Sequence, residues 1–172
     1  MHLEPITPAV ASTFKAVRLR ALLDTPLAFG STHAKEVLLT DSDWLKRAAQ
    51  WNGDGAIAYL AFDGHEACGI AAGFLDVGDG TTAHLVSMWV APTHRRHGVG
   101  KALVNSIVEW ARARQAKVLC LMVTSINDAA LRFYEQLGFA KTGHTEPYPN
   151  DSSLNEYEMV LRLVGEPLPS TQ

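Results

Sequence analysis

The run Arg95-Arg96-His97-Gly98-Val99-Gly100-Lys101 has the residue types that hold a phosphate. It follows an apolar stretch ending in Val90-Ala91-Pro92 and leads into an amphipathic one, so it reads as strand, basic turn and helix start. The first N–H groups of a helix have no partner within it, and the macrodipole puts partial positive charge there; an anion satisfies both. Gly98 and Gly100 remove Cβ atoms that would hold a diphosphate away from those amides, and Arg95 and Arg96 add charged donors at the rim. A plain basic connection between strand and helix has the same composition, and the spacing alone admits both readings. The run is not a dinucleotide fingerprint, because no third glycine follows at the required interval, and it is not a P-loop.

Asn127 and Tyr134 form a second pair with chemical potential. Seven steps of about 100° along a helix return within roughly 20° of the starting direction, so an amide and a phenol can reach one ligand. The same residues also suit a helix cap and a ring packed among Leu131 and Leu137. His94 and His97 flank Arg95 and Arg96, whose charge repels a cation, so no metal site is expected. Cys68 and Cys120 sit in apolar runs without a Cys-x-x-Cys pairing and read as reduced, buried thiols.

These groups need a scaffold, and 172 residues suffice for one domain with its own core. Hydrophobic residues at 47% and charged residues at 19% argue against disorder. A net charge of −3 and the lack of interleaved aromatic and basic residues argue against a nucleic-acid binder. Met1-His2-Leu3-Glu4-Pro5 lacks a basic start and apolar core, and no apolar run reaches membrane-spanning length; a cytoplasmic protein without membrane partners is expected.

A strand over 3–6 is followed by a helix opening at Thr7-Pro8, with Thr7 as cap, and closing at Pro26. The segment from Leu27 to Thr32 reads as loop, and a second helix starts near Asp41 with Thr40 or Asp41 as its cap. Apolar runs 56–62, 67–77 and 82–90, separated by Asp63-Gly64 and Gly78-Asp79-Gly80, form an antiparallel meander. A helix over 98–114, a strand over 118–124, a helix over 128–137 and a β pair over 139–144 and 154–163 complete the order. The tail from 165 to 172 is expected to be mobile, leaving 1–164 as the domain.

The arrangement Arg95-x-x-Gly98-x-Gly100 after Val90-Ala91-Pro92 resembles motif A of the GNAT superfamily of acetyl-CoA-dependent N-acyltransferases. Asn127, Phe133-Tyr134 and Leu137-Gly138-Phe139 resemble motif B of the same family, and the likeness extends over about residues 3 to 163. It implies an α/β (α+β) fold: a mixed, mostly antiparallel twisted sheet of about seven strands flanked by four helices, splayed between the strands ending at Val90 and starting at Val118. The likeness also implies that amides from Arg95 through Arg96, His97, Gly98, Val99, Gly100 and Lys101 hold the pyrophosphate of coenzyme A. The strand around Met88, Trp89 and Val90 then offers backbone groups to the acyl arm, and an N–H there would stabilise the developing oxyanion. Asn127 bonds the pantetheine or the helix entry, and Tyr134 protonates the departing thiolate.

The family often carries a carboxylate base about eleven residues before the motif's arginine, where this chain has His84. Histidine can accept a proton at neutral pH, directly or through water; a structural histidine fits the position as well, with Asp76 and Asp79 as other candidate bases. Phe29 and Tyr148 lie in loops that border the acceptor pocket in such proteins. The resemblance thus implies acetyl transfer to a primary amine of a small molecule or peptide by direct attack, without a metal, in a chain that can dimerise. The rival is a non-catalytic acyl-CoA-binding sensor of the same fold. Cys120, inside an apolar strand without an activating partner, is a poor covalent nucleophile. Glu146, Asp151, Glu156 and Glu158 could favour a cationic amine or simply face solvent.

Overall fold

The computed structural model of the protein describes residues 1–164; the expected mobile tail over 165–172 lies outside the described residues. Strand β1 (His2–Pro5) leads into a 3-10 turn at Pro8–Val10 and then helix α1 (Ala11–Asp24). The expected cap at Thr7 is not made: its side chain accepts no bond, and the Pro8 carbonyl instead closes a tight turn with the Ala11 amide. A second 3-10 turn, Pro26–Ala28, is followed by a short helix not expected from the sequence, α2 (His33–Glu36). Thr32 caps it by accepting from the Lys35 amide at 3.3 Å. Four residues are too few to show a helical period. Helix α3 (Asp41–Gln50) begins at the expected place with a reciprocal capping box between Thr40 and Asp43.

Strand β2 (Asn52–Gly53) pairs with the strand that follows. The meander is β3 (Ala56–Asp63), β4 (Glu66–Leu75) and β5 (Thr82–Val90). Helix α4 (Val99–Ala113), β6 (Val118–Thr124), α5 (Asp128–Gln136), β7 (Ala140–Tyr148) and β8 (Asp151–Arg162) complete the chain. The sheet runs β1-β3-β4-β5-β6-β8-β7, with β2 added on β3. This is the expected mixed sheet, enlarged by β2, with α2 added to the helices. Among the described residues all pairings are antiparallel except β5 with β6.

That parallel pairing is brief. It joins Thr82–His84 to Val118–Cys120 and then stops. Beyond it β5 stays paired only with β4, and β6 only with β8, so the two strands part. A bulge in β5 accompanies the parting: Val86 faces Ala72 and Trp89 faces Ile70, leaving Ser87 and Met88 opposite the single residue Ala71. Ser87 has a φ of 57°, a left-handed conformation that costs a non-glycine residue about 1 kcal/mol or more. A bulge of this kind bends its strand and re-aims the side chains beside it.

Helix α4 lies close on one face of the sheet. A Cβ on Gly73 would come within 2.8 Å of Ile107, and one on Gly69 within 3.0 Å of Leu103. Helices α1 and α3 meet through the edge-to-face contact of Phe14 and Trp44, with ring centroids 5.2 Å apart. One charge is sealed among these helices: Glu36 is 2% exposed. Arg18 donates to it from Nε at 3.0 Å and from Nη2 at 2.8 Å, and Arg47 Nη1 approaches Oε2 at 3.1 Å.

Burial raises the Glu36 pKa, but the Arg18 bonds, Ser31 and the Arg47 charge outweigh it, and the net shift is downward. A carboxyl with a lowered folded pKa stabilises fully above its ordinary value of 4.5 and loses that contribution as pH falls through the folded value. Glu36→Gln is therefore expected to lower unfolding stability at pH 7 by about 3 kcal/mol. Its stability should also fall less steeply than the parent's below pH ~4.5. Urea unfolding at several pH values measures both, and a variant as stable as the parent at pH 7 would contradict the account.

Candidate active site

The parted strands leave a cavity of about 690 Å³. One wall is Leu85 to Val90 of β5 and the other Leu121 to Thr124 of β6. Asn127, Phe133 and Tyr134 of α5 line it, as do Arg95, Arg96, Gly98, Gly100 and Lys101 at its mouth. Thr124, 2% exposed, fixes the far wall by donating from Oγ1 to the Leu27 carbonyl at 2.6 Å.

The basic loop is built as an anion cradle. Gly98 takes the helix N-cap position with a φ of 80°, and Arg96 is also left-handed at 64°. Among the described residues the amides from Arg96 to Lys101 have no backbone acceptor; the first bonded amide is Ala102, on Gly98 O at 3.0 Å. Successive unpaired N–H groups at a helix start bind anions. Gly98 is required for its conformation, since a Cβ there meets nothing within 4 Å. Gly100 serves packing as well as access: a Cβ would come within 3.1 Å of Phe133 and 3.2 Å of Met88.

Arg95 lines the mouth with its side chain 45% exposed, and its guanidinium is already engaged by protein groups. Its guanidinium turns inward, bonding Asp24 through Nη2 and the Val90 carbonyl through Nε at 3.0 Å. The same Asp24 oxygen accepts from Trp89 Nε1 at 2.9 Å and Thr25 Oγ1 at 2.7 Å. Burial raises the Asp24 pKa, yet these donors together hold it below the usual carboxylate range. Three donors on one oxygen tie the end of α1 to β5 and to the loop. Arg96 and Lys101 are left to offer charge outward; His97 is exposed and does not line this cavity, and Val99 is buried core.

Tyr134 is 8% exposed and its ring packs edge-on against Phe133 and Phe139. Burial pushes its pKa well above that of a free phenol, so the hydroxyl keeps its proton throughout the neutral range. Asn127 both caps and lines: Oδ1 accepts from the Ala130 amide at 3.2 Å, which leaves its NH₂ group to the cavity. Met88 points to the α4 side, toward Gly100, and Trp89 is buried against α1 through Asp24 and Arg20.

Three sequence candidates lie elsewhere. His84 does not line this cavity: it sits at the last parallel pair, stacked on Phe74 at 4.9 Å, with Nε2 3.3 Å from Asp76. Phe29 and Tyr148 are each 3% exposed, and Tyr148 Oη lies 2.8 Å from the Phe29 carbonyl and 3.0 Å from that of Pro26. They latch the turn after β7 to the loop after α1 and do not line this cavity, because both rings are used in packing. Glu146, Asp151, Glu156 and Glu158 likewise do not line this cavity. Sequence reading missed Asp24 and Ser87; an aspartate ending a helix and a serine inside a strand carry no local signal of either role.

Residues 20–139 match the model of the acetyltransferase (GNAT) family. The chain belongs to that family. Among curated relatives, the streptothricin acetyltransferase of Streptomyces lavendulae is 35% identical over 75 residues, 43% of this chain and 40% of that protein. Mouse N-acetyltransferase family 8 member 3 is 36% identical over 61 residues, 36% of this chain and 27% of that protein. The matches thus span less than half of those relatives' own lengths. A putative acetyltransferase from Salmonella typhimurium, solved with its cofactor acetyl-CoA, superposes with a TM-score of 0.77 at 20% identity, covering 100% of this chain and 99% of that one. The ribosomal-protein-alanine N-acetyltransferase of Brucella melitensis gives 0.78 at 22% identity, covering 94% and 99%. These two likenesses establish the fold.

Replacing Asp24 by Ala leaves Trp89 Nε1 and Arg95 without their acceptor. The expected result is a loss of about 1–3 kcal/mol, read as a lowered Tm in calorimetry.

Proposed function

We propose that the protein transfers an acetyl group from acetyl-CoA to a primary amine by direct attack. The observation that carries the reading is the run of unpaired amides from Arg96 to Lys101 at the mouth of the cavity. A diphosphate answers those donors, and the space between β5 and β6 suits a pantetheine arm. Bound acetyl-CoA supplies an activated acyl carbon and a thiolate leaving group.

In this reading the loop amides, with Arg96 and Lys101 as outward charges, hold the pyrophosphate. Arg95 positions the loop through Asp24 and Val90 and does not touch the phosphate. Asn127 offers its NH₂ to the arm. Backbone groups of Met88 to Val90, which have no β6 partner, stabilise negative charge on the acyl oxygen. Tyr134 holds a proton in an apolar setting at Oη and delivers it to sulfur as the carbon–sulfur bond breaks. The attacking amine must shed a proton, because free primary amines are mostly protonated at neutral pH. His84, behind Phe74 and bonded to Asp76, takes that proton through water.

Calorimetric titration with acetyl-CoA is expected to show saturable binding that Gly98→Val abolishes, since valine resists a positive φ. Tyr134→Phe is expected to lower kcat by about 100-fold with little change in acetyl-CoA affinity. No acetyl-CoA binding by folded protein overturns the reading. Binding without thiol release for any amine, with Tyr134→Phe silent, makes the chain an acyl-CoA sensor.

A further inference from the structure

A second cavity of about 530 Å³ opens on the α1 and α3 side of the sheet, and Ser87 is the one residue that lines both. Its polar floor is Arg18, Arg47 and Glu36, and Phe14, Trp51 and Phe74 form apolar walls. Glu36 is already spent: Oε1 accepts from Arg18 Nη2, and Oε2 faces both Arg18 Nε and Arg47 Nη1. Two guanidinium cations thus share one carboxylate, and the cavity holds an uncompensated positive charge. Arg18 is also committed, through Nη1, to Ser87 Oγ at 3.0 Å. Arg47 is the cation with donors to spare. Its side chain is 37% exposed, lies over the Trp44 ring, and makes one approach to Glu36.

We infer that the acyl acceptor is an amino acid in the chemical sense: an amine that also carries a free carboxylate, with the carboxylate on Arg47 and the amine at Ser87. The inference rests on the acyl transfer proposed above and names its acceptor class. A carboxylate completes a balanced set of two cations and two anions, and guanidinium is the donor best shaped to hold one. A polyamine or other polycation would add charge of the wrong sign beside Arg18 and Arg47. The aromatic walls accept an apolar side chain. At the shared residue, Ser87 Oγ already receives Arg18, so a lone pair and the hydroxyl proton remain to orient the incoming amine. The guanidinium beside it favours the uncharged, nucleophilic form of that amine.

The test measures thiol release from acetyl-CoA with the common amino acids, each beside its carboxamide, and with spermidine. At least one free acid is expected to exceed its carboxamide in kcat/KM by about tenfold, the worth of a charge-assisted bond. Arg47→Gln should erase that ratio through KM for the acid, with kcat moving less, and Arg47→Lys should restore part of it. Calorimetry with acetyl-CoA shows that each variant is folded. Carboxamides or spermidine as the better acceptors, or an acid preference that survives Arg47→Gln, overturns the inference while the transferase reading stands. Turnover of no amine alongside normal acetyl-CoA binding overturns both, and loss of acetyl-CoA binding in the parent protein removes their common footing.

Discussion

Everything of chemical interest in this chain depends on the early end of one strand pairing. The β5 and β6 backbones are parallel partners for three residues each and then part. A sheet left open within its interior exposes backbone donors and acceptors, which is costly unless something answers them. Here the separated strands are held by other elements: β5 by β4, β6 by β8 and by the Thr124 bond to Leu27. The bulge at Ser87 lets β5 curve away without losing its other neighbour. Its left-handed backbone is the local cost of an opening that the rest of the core maintains.

Around that opening, charged groups do two different jobs. Asp24 gathers Arg95, Trp89 and Thr25 onto one oxygen and thereby sets the basic loop on the end of α1. Arg95, the most conspicuous residue of the loop motif, is tied into this network, which leaves the backbone amides from Arg96 to Lys101 as the loop's unpaired donors. On the other face, Glu36 joins Arg18 and Arg47 below a hollow walled by aromatic rings. Arg18 extends that network to Ser87, so the bulge is braced from the side chain as well as from the strand.

Much of the scaffold was legible in the sequence because its punctuation is local. Strands 82–90 and 118–124 have the expected limits, and Thr40 caps the helix it was expected to cap. Helix α2 escaped notice because a single turn shows no period. The β7 and β8 strands run longer than expected, since their polar, exposed residues give no apolar alternation to read. The motif residues flanking the cavity were visible as spacing. The networks were not: Arg18 and Glu36 are 18 positions apart, and Asp24 and Arg95 are 71 apart, distances at which only the folded chain assigns partners. Phe29 and Tyr148 were singled out by the roles of their loops in related proteins, yet here packing has claimed both rings; His84, singled out by its strand position, stacks on Phe74 and keeps part of its ring open to water.

The two hollows share a single lining residue, and this bears on the order of events. Because the two linings are otherwise separate, a molecule in one hollow does not fill the other. On the reading proposed above, both reactants can therefore reside together, meeting across the slot at Ser87. Such a layout calls for a sequential rate law in which double-reciprocal lines intersect, and it gives no reason for the parallel lines of a shuttle through a modified enzyme.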